Sequence, residues 1–143
     1  MNAQQNIQLT QQIFQAFAQG NVPFLLNILA DDIEWYVAGS REHLPLAGTY
    51  QGREQVAQVF QKVGQYLELQ HFQPEEFVAQ NHQVAVFGKA KGRIRPNNCL
   101  VEYDWVHLYT WQEGKVIKFR EYLDTGAMAS AFAGVNTNGV TKQ

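Results

Sequence analysis

The chain is short of cysteine, of metal-ligand spacing and of any dominant charge. Cys99 is the single cysteine in 143 residues. An internal disulfide therefore cannot form, and a cysteine-rich metal cluster is excluded. A lone cysteine fits a reducing compartment. Lys and Arg number 11 against 13 Asp and Glu, a net charge of −2, so no field draws the chain to nucleic acid or to an anionic membrane. No apolar run reaches transmembrane length. The stretch MNAQQNIQLTQQ at 1–12 lacks the basic start and apolar centre of a secretion signal. The expectation is a cytoplasmic protein with neither nucleic acid nor membrane as a partner. His43, His71, His82 and His107 show no metal spacing. The stretch GSREHLPLAG at 39–48 lacks the Gly-Lys-Ser/Thr ending of a phosphate loop. Neither a metal nor another cofactor is implied.

Apolar residues make up 45% of the chain and charged residues 17%, which suits one domain with one core. That domain is expected over 1–133, with a polar, loose tail over 134–143. Residues 4–19 carry an apolar stripe of Ile13, Phe14 and Phe17, and Gly20 ends that helix. Asn21 can cap a second helix, with Pro23 near its first turn and Phe24, Leu25, Ile28 and Leu29 along it. Residues 33–38 read as a strand and 39–52 as a long loop. From Gly52 a helix carries Val56, Val59, Phe60, Val63 and Leu67 at three- and four-residue spacing. The period then becomes two. Residues 68–80, 83–95, 100–111 and 115–124 read as four strands joined by tight turns, hence an antiparallel meander. A short helix over 126–133 follows, capped by Asp124 or Thr125. This order predicts an α+β fold, a curved antiparallel sheet wrapped around the N-terminal helices. Space left between them becomes a pocket.

The last strand sets the functional question. Alternation puts Ile117, Phe119, Glu121 and Leu123 on its apolar face, one acid among core residues. A two-residue turn at Glu113-Gly114 would force positive φ on Glu113, whereas a three-residue loop, Gln112-Glu113-Gly114, needs it only at glycine. The three-residue loop is preferred. It pairs Trp105 with Glu121 and His107 with Phe119, and makes His107 and Glu121 diagonal neighbours. In the other register Val106 faces Glu121 and His107 points outward.

The stretches DDIEWYVAG, LPLAGTYQGREQVAQVF and DWVHLYTWQEGKVIKFREYLDT, with the Ala-rich helix after them, resemble SnoaL-like proteins. These belong to the nuclear-transport-factor-2-like, or ketosteroid-isomerase-like, superfamily. The resemblance spans nearly the whole chain except its tail. It implies a cone-shaped α+β barrel, open at one end, and a homodimer through the outer sheet face. Polyketide cyclases of the family use an acid on the last strand and a histidine on the strand before it. By resemblance these positions are Glu121 and His107, with Glu where a cyclase has Asp. The epoxide hydrolase branch also carries an Arg-x-Asp pair, where this chain has Lys89-Ala90-Lys91. The fold hosts isomerases, cyclases, hydrolases and non-catalytic binders, so the family alone does not assign a reaction.

Each candidate has a plainer counterpart. An acid among apolar residues is desolvated, which suits a general acid or base; it could instead close the barrel through a salt bridge. His107 is a proton shuttle or oxygen ligand, or a satisfied core histidine. Asp124 is read as a helix cap. Trp35, Trp105 and Tyr109 wall a pocket for a flat apolar ligand, or simply fill the core. His43 and Tyr50 lie in the long loop, where binding groups often sit, and Tyr50 is preferred because AGTYQG belongs to the resemblance. Lys89, Lys91, Arg93 and Arg95 share one strand face, read as a solvated or dimer-facing surface. The expected partner is a small apolar carbonyl compound. The leading reading is proton-transfer chemistry on it, with Glu121 and His107 as the catalytic pair and Trp35, Tyr50, Trp105, Tyr109 and Phe119 shaping the site. The competing reading is a non-catalytic binder or a dimeric interaction domain.

Overall fold

Helices come first, and local signals place their ends. The computed structural model describes residues 2–135, so most of the tail expected over 134–143 lies outside the described residues. Helix α1 runs Ala3–Ala18, opened by a capping box in which Asn2 and Gln5 satisfy each other's backbone N–H. Helix α2 is one short turn and a half, Val22–Asn27, capped by Asn21. Helix α3 spans Gly52–Tyr66 and buries Val56 and Val59. Helix α4 spans Thr125–Phe132. Asp124 caps it, accepting the Ala127 N–H at 3.0 Å.

Six strands form one sheet: β1 Leu29–Val37, β2 Gly48–Gln51, β3 Leu67–Gln80, β4 Gln83–Ile94, β5 Cys99–Gln112 and β6 Lys115–Leu123. Their order is β2-β1-β6-β5-β4-β3. The sheet is curved and unclosed, with β2 and β3 as its edges. The fold is the expected α+β arrangement. Helix α1 packs across β3 and β4, α3 against β1, and α4 against β5. Pro74 sits in β3, beside a bulge; an edge strand tolerates its missing N–H.

Three expectations about element bounds and strand pairing need correction. The second helix stops before Leu29, which joins β1 and pairs with Val116. The Leu29 carbonyl accepts two bonds from Arg53, at 2.9 and 2.7 Å, which ties the strand to α3. Residues 48–51 of the expected loop form β2, antiparallel to β1. The meander is antiparallel as expected, but β1 lies parallel to β6, so the sheet is mixed.

The β5–β6 turn differs most. It is the two-residue Glu113-Gly114 turn, with φ of 51° and 77°, and Gln112 faces Lys115. Continued regularly from the buried Trp111–Val116 pair, this register would put Val106 opposite Glu121 and part the acid from His107, turning Glu121 to the outer face. A bulge intervenes: Trp111 pairs with Val116, but Thr110 pairs with Lys118, so Ile117 is the extra residue. Beyond it Tyr109 faces Phe119 and His107 faces Glu121 directly. The expected inward Ile117 gives way to Val116, which is fully buried. The bulge lets Val116 and Phe119 both enter the core. Trp111 also stays inside, donating its Nε1–H to Thr10 Oγ1 at 3.0 Å; that hydroxyl in turn donates to the Asn6 carbonyl at 2.7 Å.

Candidate functional site

The concave face is built by strict alternation. On β5 the odd-numbered residues from Cys99 to Trp111 point inward, and on β4 the even-numbered ones do. Trp105 lies opposite Gly88. A Cβ at Gly88 would overlap its indole, so glycine lets Trp105 lie back against the sheet. There it stacks on Phe72, with ring centroids 4.4 Å apart and planes 4° from parallel. A cavity of about 310 Å³ opens in front of it, between the sheet and the four helices. This size falls in the range of small-molecule sites.

The wall is almost wholly apolar. Among the described residues its ionisable side chains are Tyr103, His107, Tyr109 and Glu121, and neither lysine nor arginine lines it. His107 is 8% exposed. Its Nε2 lies 2.9 Å from Glu121 Oε2, and its Nδ1 lies 3.1 Å from the Tyr109 hydroxyl. Burial, aided by the nearby Glu121 charge, holds the Tyr109 pKa well above the ordinary tyrosine value. Tyr109 therefore keeps its proton and can donate to Nδ1, leaving Nε2–H to donate to the carboxylate. The result is a directed chain, Tyr109 to His107 to Glu121. Phe14 from α1 stacks over the imidazole at 5.8 Å and Phe119 meets it edge-on at 4.8 Å, so neighbouring rings fix its plane. The Ala38 N–H donates to the Glu121 carbonyl at 3.0 Å, pinning the end of β1 beside the acid.

Of the residues expected at the site, Glu121, His107, Trp35, Tyr109 and Phe119 line this one cavity. Trp35 stacks on Phe119 at 3.8 Å and meets Phe60 edge-on at 5.5 Å. Tyr50 and Trp105 stand behind the wall. The Tyr50 hydroxyl donates to the Leu46 carbonyl at 3.0 Å, and the Arg41 guanidinium covers its ring while Arg41 Nε donates to the Ala47 carbonyl at 2.7 Å. Together they hold Leu44, Leu46 and Ala47 against the cavity. Lys89, Lys91, Arg93 and Arg95 are on the opposite face of the sheet, paired with Asp104, Glu102 and Glu68. Sequence reasoning missed Tyr103 and Phe14. Tyr103 carried a signal, since it lies two and four residues from Trp105 and His107 on the same alternation. Phe14 was read only as part of a helix stripe.

A family model described as a SnoaL-like domain matches residues 10–119. The crystal structure of an NTF2-like protein from Burkholderia xenovorans LB400 is 40% identical, superposes with a TM-score of 0.83, and the match covers 92% of this chain and 98% of that one. An NTF2-like protein of unknown function from Burkholderia pseudomallei K96243 shares 23% identity at a TM-score of 0.83, over 90% and 98% of the two chains. A Mesorhizobium loti protein described as a candidate SnoaL-like polyketide cyclase shares 25% identity at 0.68, over 81% and 97%. Among curated proteins none matches the chain.

Proposed function

Because the chain belongs to the SnoaL-like domain family, we propose that it binds a small, largely apolar carbonyl compound and catalyses proton transfer on it. The reaction class is isomerisation or aldol-type cyclisation. The observation that carries this reading is the His107–Glu121 pair, 2.9 Å apart, at the wall of an apolar cavity. Glu121 takes a proton from the carbon beside the carbonyl, and the electron pair of that C–H bond moves into an enolate. In isomerisation the same carboxyl returns the proton at a second carbon. In cyclisation the enolate carbon attacks another carbonyl of the same molecule, and the proton ends on the new alkoxide. His107 holds one carboxylate oxygen through Nε2–H, leaving Oε1 to face the ligand. Trp35, Tyr109 and Phe119 form the wall, while Tyr50 and Trp105 set it from behind.

The test uses 2-tetralone, a neutral bicyclic ketone with acidic C–H bonds. Exchange of its C1 protons in D₂O is followed by NMR, above the rate in buffer. Glu121→Gln should lower the protein-dependent rate by about 100-fold or more. Exchange by the variant at the wild-type rate would sink the assignment. A competing reading, a binder without turnover, draws on the mutual satisfaction of Glu121 and His107. It requires ligand binding with no exchange above buffer.

The reading extends to a homodimer. Phe87, Val106 and Tyr122 pair in a row across the outer face of β4, β5 and β6, and Phe87 and Tyr122 are 40% and 41% exposed. Two copies would cover these rows mutually. Sedimentation at micromolar concentration should give twice the 16.3 kDa chain mass. A single 16.3 kDa species would remove the dimer.

A further inference from the structure

The cavity carries a negative charge with no cation on its wall to offset it. With Nδ1 accepting from Tyr109, the imidazole of His107 is neutral, so the Tyr109–His107–Glu121 chain keeps the full charge of its carboxylate. Among the described residues no lysine or arginine lines the wall. The cations nearest in sequence are turned away. Arg120, next to Glu121, donates to the Tyr122 hydroxyl at 3.2 Å on the outer face of β6. Lys118 meets Glu34 there at 3.3 Å. The charge also reaches across the cavity: burial raises the Tyr103 pKa above its ordinary value, and the Glu121 carboxylate adds to the rise.

The carboxylate is not saturated by its neighbour. His107 takes Oε2, a carboxylate offers about four acceptor positions, and the Glu121 side chain lines the cavity at 23% exposure. The wall around it is aromatic. Phe119 lies two residues back along β6, Trp35 stacks on Phe119 at 3.8 Å, and Phe14 reaches in from α1 over His107. Ring faces carry a negative quadrupole that attracts a cation within about 6 Å of the centroid. An ammonium ion suits both features. Its N–H bonds fit the remaining acceptor positions, and its charge fits the rings. The carboxylate is already largely out of water in the protein itself, so a cationic ligand adds only its own desolvation to the balance. An anionic ligand would be desolvated against the carboxylate with no cation to receive it.

We propose that the cavity has a second ligand class, apolar amines held as ammonium ions, which donate N–H bonds to Glu121 and set their charge against the rings of Phe14, Trp35 and Phe119. Such an amine excludes a ketone, because it occupies the carboxylate that would take the ketone's proton. The binding claim goes beyond the proton-transfer reading. It needs the charge of Glu121, the cation-free wall and the rings, and holds whether or not the carboxylate does chemistry.

Three bicyclic probes of one shape and different charge test it: 2-aminotetralin, an ammonium ion at neutral pH, tetralin, and tetralin-2-carboxylate. Affinities are measured by ligand-observed NMR on the full chain. Wild type should bind the amine about tenfold or more tighter than tetralin, the effect of one charged hydrogen bond, and the carboxylate weakest. That preference should survive about 0.5 M NaCl, whereas a loose attraction to the net charge of the chain would be screened away. Glu121→Gln keeps the shape and removes the charge. It should bring the amine to within about threefold of tetralin and leave tetralin itself unchanged. Tetralin thus reports whether the variant still forms the cavity, and the wild-type measurements stand without the variant. The proposal is overturned if wild type binds the amine no tighter than tetralin, if salt abolishes the preference, or if Glu121→Gln retains it. Exchange of 2-tetralone protons is a separate readout. Exchange that depends on Glu121 without a preference for the amine defeats this inference alone, and the reverse result defeats the catalytic assignment alone.

Discussion

The two faces of the β4–β5–β6 sheet present the same motif in opposite settings. On the outer face Lys89 stands opposite Asp104 and Lys91 opposite Glu102; on the inner face His107 stands opposite Glu121. In each case a nitrogen base meets an acid across a ladder. Outside, the Lys89 and Asp104 side chains are 65% and 81% exposed and 3.9 Å apart. Inside, the His107 and Glu121 side chains are 10% and 23% exposed and 2.9 Å apart. Water screens the first pair, and its worth is small. The second pair faces an apolar wall, where less water screens it. Pairing alone therefore says little about function. The face on which a pair falls decides whether it is surface or site.

Substitutions at adjacent residues should make that contrast measurable. Gly88 points inward and Lys89 outward, one step apart on β4. Gly88→Val would drive Trp105 off its stack on Phe72 and crowd the Gln73 carbonyl. A loss of about 3 kcal/mol in stability is expected, read by urea denaturation. A change under about 1 kcal/mol would mean the indole has another place to go.

An intermediate effect comes from alkali. Tyr103 and Tyr109 have folded pKa values raised above the ordinary value by burial, with Glu121 adding to it. Their contribution is complete below pH 10, because neither state is then ionised. As pH rises above 10 the unfolded chain loses these protons and the folded chain keeps them, so stability falls. At pH 11 the loss is about 1.4 kcal/mol per tyrosine. Tyr103→Phe should remove about half of the decline these two residues cause between pH 9 and 11. An unchanged slope would contradict the burial assigned to that hydroxyl.

The outer face should register least. A double-mutant cycle on Lys89 and Asp104 is expected to give a coupling below about 0.5 kcal/mol, vanishing in high salt. A coupling comparable to a buried pair would erase the distinction between the faces.

Local pattern made much of this molecule readable. The apolar spacing of α3, the alternation of β4 and β5 and the Asp124 cap are short-range features, and the chain adopts them. Contacts between distant segments were less legible. The parallel pairing of β1 with β6 joins residues far apart in the chain and leaves no local mark. Four residues of β2 were hidden in a glycine-rich loop. At the site, the sequence reading named Glu121 and His107 on one face and misjudged how they came to share it. It rejected the Glu113-Gly114 turn because glutamate disfavours positive φ, yet Glu113 adopts it. It could not foresee the bulge that reverses the consequence, because Ile117 looks like any other strand residue. Tyr103 was within reach of the same alternation that yielded Trp105, two residues before it on β5.

Ile117 also bears on how the chain tolerates changes of length. As the unpaired residue of the bulge, it could be deleted and leave a plain ladder in which Val116, Phe119 and Glu121 keep both their partners and their faces. A deletion between Phe119 and Glu121 has no such slack, and would turn the carboxylate to the outer surface. The hairpin thus carries one spare residue, a buffer against insertion and deletion placed just before the position that can least afford a shift.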